Sequence, residues 1–408
     1  MAIHPARPAP TPAAICLAGA LALAVAMGIG RFAFTPMLPL MIQAGGLDVA
    51  GGGWVAAANY AGYLVGAMTA SRVPLGAVRL GLLALLLSAI LAAAMALPGS
   101  LVLWSVLRFA AGVASAWVFV STAVWCLGAL ARAQRASWGA AVYFGVGAGI
   151  AIAGLYCLGG SIAGATPGSL WIQLGVLAAV LVVPVFWVMT RLDDGVAPTP
   201  SQASAPGAES HSEPPPGTLS LVVCYGIFGF GYILPATFLP VLARAVVDDP
   251  RLFGLAWPVF GAMAAASTLL AGWFARHASR LQVWAVAHVL MGVGVLLPSV
   301  SQSGVAIALS AVLVGGTFMV ITMVGVQETR ARVPGDPTRW VGRMTTAFAL
   351  GQIAGPLFSS MLLHMPLHGM NGLNLALQAG AASLWLSAAW LWREASSSPI
   401  RERISHAR

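Results

Sequence analysis

The stretch "GIGRFAFTPMLPL", residues 28–40, has an altered copy, "GFGYILPATFLPV", at residues 229–241. Both glycines match, as does the Leu-Pro near the end, 201 residues apart. Trp54 and Trp257 pair at an offset of 203, Trp138 and Trp340 at 202, and Gly149 and Gly351 at 202. Gly112 and Gly316 pair at 204. One nearly constant offset along the chain marks a single unit duplicated in parallel.

What the unit is follows from composition. The chain has 408 residues, 59% hydrophobic and 8% charged, far from the balance of a soluble domain. Apolar runs of about 20 residues recur, each long enough to cross the hydrocarbon layer as a helix. They are continuous rather than alternating, which excludes a barrel. Twelve spans are expected at 15–43, 52–72, 77–97, 101–130, 137–161, 168–190, 218–243, 253–275, 281–299, 304–328, 340–364 and 372–392. The expected architecture is an all-α polytopic membrane protein of two parallel six-helix repeats. Its parts are a tail at 1–14, a bundle at 15–190, a linker at 191–217, a second bundle at 218–393 and a tail at 394–408. The linker is rich in Pro, Ser and acid and has nothing to bury.

All 20 basic residues are Arg. With the N-terminus inside, sixteen fall in cytoplasmic segments and two, Arg244 and Arg251, fall outside. Both termini are therefore expected in the cytoplasm. The charge lies in short loops, which points to membrane orientation rather than nucleic acid. Cys16, Cys126, Cys157 and Cys224 fall inside apolar segments without metal spacing and read as packed thiols.

Several strings carry a family resemblance. "RFAAGVASA" at 108–116 is similar to the fourth-span Arg-x-x-x-Gly signature of the major facilitator superfamily. "GVGAGIAIAG" at 145–154 resembles its glycine-rich fifth-span motif without the usual proline. "ASRVPLGAVRL" at 70–80 keeps Arg72, Gly76 and Arg79 of the loop motif but lacks its Asp. "GIGRFAFTPMLPLM", "WVAAANYAGYLVGA", "YGIFGFGYILPATFLP", "LVGGTFMVITMVGVQE" and "GQIAGPL" resemble the bacterial YbfB/YjiJ-like branch. The resemblance implies an inner-membrane, multi-pass permease working by alternating access. It implies no substrate.

Arg31 and Arg108 are the two arginines left inside spans. Arg31 lies roughly 24 Å up its span and Arg108 roughly 10 Å below the outer end of its own. A charge buried in lipid is costly and marks a solute or ion path. No acidic residue falls at midplane to pair with either. Two readings follow. A solute anion completes the site through the guanidinium, or the arginine donates to carbonyls freed by Pro36 and Pro39 and ties spans one and four together.

Helical spacing adds Phe34 and Thr35 near Arg31, and Tyr232, which replaces Arg31 in the second repeat, with Tyr225 below it. Asn59 and Tyr63 share a face, and Thr317, Phe318 and Gln352 complete the substrate-binding candidates. Each of these could equally be a packing or interhelical hydrogen-bonding residue. Pro36, Pro39, Pro235 and Pro240 are the gating candidates, since they sit at matching places in spans one and seven. Of the two histidines in spans, His364 lies near an outer end and His288, in span nine, reads as peripheral rather than as a proton carrier. A chain without Lys cannot hold a nucleotide in the usual glycine-loop manner.

The leading expectation is a secondary active or facilitative transporter of a small, anionic organic solute. Drug or metabolite efflux through a hydrophobic cavity is the alternative within the class, and a non-transporting sensor or scaffold the alternative outside it. Neither an enzymatic constellation nor a cofactor site is in view. The expected partners are the lipid bilayer and a small-molecule solute, without nucleic acid, and the expected state is a monomer.

Overall fold

The computed structural model describes residues 10–135, 138–192, 217–246, 249, 253–333, 337–365 and 371–405. The expected N-terminal tail and the linker fall largely outside the described residues.

Among the described residues, twelve long helices run in order. They are α1 (Pro12–Gln43), α2 (Val49–Thr69), α3 (Ala77–Ala94), α4 (Leu101–Arg132), α5 (Gly139–Ile162) and α6 (Pro167–Met189). The second set is α7 (Thr218–Val246), α8 (Ala256–His277), α9 (Arg280–Val300), α10 (Gly304–Arg332), α11 (Pro337–His364) and α12 (Gly372–Ser405). The last helix runs past the expected end of its span at 392. Several starts are set by side chains that satisfy orphan N–H groups: Asp48 accepts from Gly51, Thr166 from Ser169, and Ser279 forms a capping box with Gln282.

Ten of these helices are long and apolar enough to cross a membrane by composition alone, counted over the described residues. Of the other two, α8 is described only in part, and α2, which packs against α11 of the other half, is the less apolar helix. Helix α2 carries Gly51, Gly52, Gly53, Asn59, Tyr60 and Tyr63, residues suited to close approach and hydrogen bonding rather than to lipid. Elsewhere the outer surface is apolar, with Val102, Val183 and Leu386 standing exposed. In water such a face would invite aggregation; in a bilayer it is the solvent-facing side.

The packing repeats with the sequence. In the first half α1 packs on α5, α2 on α4, and α3 on α4 and α6. In the second half α7 packs on α11, α8 on α10, and α9 on α10 and α12. Glycines make the matched crossings possible. A Cβ on Gly28 would strike the backbone of Gly149, and one on Gly229 would strike the backbone of Phe348. Gly112 fits against the Asn59 carbonyl; its counterpart against the Phe260 carbonyl is Gly315, one residue before the Gly316 that sequence spacing suggests. The tryptophan pair diverges: Trp257 is fully buried, whereas Trp54 is 46% exposed.

Between the halves, α2 meets α11, α5 meets α8, and α1 meets α7. Cross-half hydrogen bonds gather toward the C-terminal end of α1. Thr35 Oγ1 donates to the Ala236 carbonyl at 2.8 Å, and Ser360 Oγ donates to the Ala50 carbonyl at 3.0 Å. Tyr60 and Thr237 share a hydroxyl contact at 3.2 Å, and Arg244 donates to the Pro39 carbonyl at 3.2 Å. The Thr35 bond has a simple cause. Pro240 has no N–H, so the Ala236 carbonyl four residues earlier lacks its helical partner, and Thr35 supplies one.

At the opposite, open end, α4 is not closely packed on α10 or α11 among the described residues. Thr345 and Thr346 of α11 and Arg330 of α10 are exposed there. Within the second half this end is tied by charge. Glu328 accepts from Arg280 and Arg332 at 2.9 Å each, and Arg332 also reaches Glu394 at 3.0 Å.

Candidate solute site

The site begins with an irregularity in α1. Ala24–Phe32 is a π-helical stretch, after which α-helical bonding resumes at Phe34. Such wide turns leave carbonyls poorly matched and often mark functional positions. Pro36 deepens the mismatch: it brings no N–H to the turn in which the Arg31 carbonyl, five residues before it, needs a donor. Arg108 supplies it. Its Nη2 donates to the Arg31 carbonyl, and its Nη1 donates to the Gly30 carbonyl at 2.8 Å. Asn59 in turn donates to the Arg108 carbonyl at 2.8 Å, and the Phe34 ring lies 5.4 Å from the Arg108 guanidinium. The role of donor to proline-freed carbonyls therefore falls to Arg108, and it joins α1 to α4.

Arg31 is different. It is 3% exposed, and its Nη2 donates across the halves to Gln352 Oε1 at 2.6 Å. Gln352 passes the contact on by donating to the Tyr232 hydroxyl. The guanidinium lies 3.9 Å from the centre of the Tyr63 ring, 5.3 Å from Tyr60 and 5.2 Å from Phe32, so aromatic faces provide part of its electrostatic partner. The Nε–H is buried with no acceptor, as is that of Arg108. Among the described residues no carboxylate reaches Arg31: Asp48 caps α2, and Glu328 and Glu394 belong to the ionic cluster at the open end.

Tyr232 stands where the repeat places Arg31's counterpart, and around it the second half builds an aromatic wall. Its ring stacks on Phe318 at 4.8 Å and lies nearly parallel to Phe348 at 5.6 Å. Phe228 and Tyr225 extend the wall toward the open end, at 5.2 Å from Tyr232 and 5.4 Å from Phe228 respectively.

The remaining sequence candidates separate by position. Arg31, Tyr63, Tyr232 and Gln352 come together, with Phe318 and Tyr225 in the adjoining wall. Thr35 belongs to the closed end. Phe34, Asn59 and Arg108 form the support behind Arg31. Thr317 bonds back to the Leu313 carbonyl of its own helix at 2.7 Å. Of the prolines, Pro39, Pro235 and Pro240 lie inside helices, and Pro36 and Pro39 line a small recess with Pro240 and Trp257. His288 lies apart: Trp284 donates to its Nε2 at 3.0 Å, so Nδ1 carries the proton and donates to Ser387 at 3.0 Å. Tyr60 and Phe348 were not singled out by sequence. Each had a signal, since Tyr60 lies three residues before Tyr63 and Phe348 four before Gln352, on the same helical faces.

The fold and sequence match known proteins at two levels. Three solved structures share the arrangement. One is a D-xylose-proton symporter, with a TM-score of 0.72 and 13% identity, covering 93% of this chain and 97% of that one. Nucleoside transporter NupG aligns with a TM-score of 0.68 and 14% identity, over 93% of this chain and 98% of that one. A bacterial homologue of the human lysosomal transporter Spinster, inward-facing and unoccupied, aligns with a TM-score of 0.65 and 16% identity, over 96% of each chain. At such identities the likeness is one of fold. No curated protein matches the sequence. Residues 23–391 match the family described as the uncharacterised MFS-type transporter YbfB. The chain is a membrane transporter of the major facilitator superfamily and belongs to that YbfB family.

Proposed function

We propose that this transporter carries a small organic anion by alternating access, with Arg31 as the counter-charge of the solute. The observation that carries the reading is a buried guanidinium that spans the two halves, keeps an unsatisfied Nε–H and meets no carboxylate among the described residues. A buried donor left unmade is costly, and a bound carboxylate removes that cost. Because Arg31 belongs to α1 and its partners Gln352 and Tyr232 to α11 and α7, an anion held here touches both halves at once.

The arginine distribution supports cytoplasmic termini in a bacterial inner membrane. In that orientation the closed end faces outward and the open end faces the cytoplasm. Exposed Arg330 at the open mouth draws anions inward. Pro36, Pro39, Pro235 and Pro240 are the points at which α1 and α7 bend when the closed end parts. Among the described residues no carboxylate of the site is present to carry a coupling proton, which favours facilitated movement, exchange, or coupling through the charge of the solute itself. The protein acts as a monomer, since the duplicated chain closes the bundle by itself.

The test is thermal unfolding of the detergent-purified protein against a panel of small anions, cations and neutral metabolites, beside Arg31→Gln. Anions raise the midpoint of the wild type, by the equivalent of about 2.7 kcal/mol at a hundredfold excess over Kd, and leave the variant unmoved. A wild type indifferent to every anion, or a variant that still responds, overturns the reading.

A further inference from the structure

We infer that the anion is a flat aromatic or heteroaromatic monocarboxylate, a refinement that rests on the anion reading of Arg31. Three observations meet at one place. The first is the single available charge. Two arginines are buried near each other, but Arg108 spends both Nη1 and Nη2 on the carbonyls of Gly30 and Arg31. Its remaining Nε–H cannot by itself offer a carboxylate the paired donors of a bidentate contact. Arg31 gives Nη2 to the Gln352 side chain and lies against Tyr63, but no backbone carbonyl is shown to hold it and its Nε–H has no acceptor, so it is the guanidinium with capacity for a ligand. One guanidinium suits one carboxylate; a dianion or phosphate monoester would bring a second charge into a site with no second uncommitted cation among the described residues.

The second observation is the wall beside that charge. Tyr225, Phe228 and Tyr232 fall at i, i+3 and i+7 on α7, and Phe318 of α10 and Phe348 of α11 complete the surface. Tyr225, Phe228 and Tyr232 are buried at 5%, 0% and 1% exposure, and the outer rings keep some exposed area. Phe348 is half-buried, Phe318 is 7% exposed, and across the cleft Tyr63 is 8% exposed. Phe348, Phe318 and Tyr63 are therefore the rings with surface left for a ligand. Tyr232 already stacks on Phe318 at 4.8 Å and on Phe348 at 5.6 Å, so a flat ring would meet the remaining face of Phe318 or Phe348, which favours it over a puckered one of equal size.

The third is the join between charge and wall. The Tyr232 ring belongs to the wall, and its hydroxyl holds the Gln352 that Arg31 touches. A carboxylate on Arg31 thus starts where the aromatic surface starts, and a ring bonded directly to that carboxylate lies against the wall without a spacer. The same geometry disfavours sugars. Both ends of the Gln352 amide are committed, and the Thr317 hydroxyl is turned back onto its own helix, so few groups remain to bond a ring of hydroxyls.

The experiment compares benzoate, 2-naphthoate and cyclohexanecarboxylate as stabilisers of the purified full-length protein, with thermal unfolding as the readout. Benzoate and cyclohexanecarboxylate match in charge and approximate size and differ in flatness. Benzoate is expected to reach half-maximal stabilisation at about one-tenth the concentration of cyclohexanecarboxylate, as stacking on an aromatic face predicts. Phe348→Leu narrows that advantage to about threefold or less, since one face of the stack is removed. If Phe348→Leu does not fold, Phe318→Leu makes the same test. Equal potency of the two carboxylates on the wild type overturns the aromatic assignment while leaving the anion reading intact. An undiminished benzoate advantage in the folded variant also overturns it. Failure of all three carboxylates to stabilise the wild type overturns this inference, and if the wider anion panel fails too, the reading of Arg31 falls with it.

Discussion

Helices α1 and α7 descend from one sequence, yet they do different work. Both keep the glycine that lets a partner helix approach, Gly28 against Gly149 and Gly229 against Phe348. Both keep a late proline, Pro39 and Pro240. Between these fixed points they part. The first helix opens into a π-helical stretch around Arg31 and needs Arg108 to repair it, whereas the second stays α-helical through Tyr232 and joins an aromatic wall. The difference teaches that backbone contact holds the repeat symmetric, and that the site is built where the symmetry lapses. One half brings the cation with its own aromatic partners, and the other brings the stacked wall.

The comparison can be broken hardest at the repair. Arg108→Met leaves the carbonyls of Gly30 and Arg31 buried without donors, at roughly 1–3 kcal/mol each. The purified variant should unfold at a clearly lower temperature. Adding Pro36→Ala restores an N–H to that turn and should recover part of the loss. Simple addition of the two effects in thermal unfolding would contradict the account given for Arg108.

The next test exchanges the halves' contributions. Arg31→Gln removes the cation but keeps the packing, and should weaken solute binding or uptake about a hundredfold, as loss of one partner of a buried charge pair does. Uptake into vesicles, or the ligand-dependent unfolding shift, reads the effect. A smaller loss is expected for Tyr232→Phe, which removes only the hydroxyl that receives the Gln352 amide. Removing one such neutral hydrogen bond costs about 0.5–1.5 kcal/mol, so affinity should fall about three- to tenfold with little change in fold. An affinity unchanged in that variant would detach Gln352 from the site.

The smallest effect belongs to the closed end. Thr35→Val removes the hydroxyl that serves the Ala236 carbonyl, and should shift the balance between conformations by about 0.5–1.5 kcal/mol toward parting of that end. Spin-label distances between the C-terminal ends of α1 and α7 should gain a longer component. A distribution identical to wild type would remove Thr35 from the gate.

Much of this was legible in the chain itself. The twelve apolar runs, the duplication and the pairing of Arg31 with Tyr232 are one-dimensional patterns, and the helices follow them. Tyr63 and Gln352 were visible as polar residues on apolar spans. What each buried arginine does was not visible, because it depends on where donors end after the helices pack. The missing N–H of Pro36 could be read from sequence; the fact that Arg108, rather than Arg31, answers it could not. The π-helical stretch has no signature of its own in Ala24–Phe32, where Arg31 marks a charge but not a change of turn. The Gly315 register and the exposure of Trp54 depend on how the helices meet once packed, which sequence spacing does not carry.

The Thr35–Ala236 bond joins two positions that are equivalent in the repeat. In a pair of identical six-helix units this position would face its own copy, and both carbonyls would need the same service from both side chains. Two threonines meeting there would have to crowd one spot, and two alanines would leave both carbonyls bare. Fusing the units into one chain let one side keep the hydroxyl while the other gave it up. A single directed hydrogen bond at the axis is thus something a symmetric ancestor could not own, and it gives the covalent chain a latch that dimerisation alone would deny it.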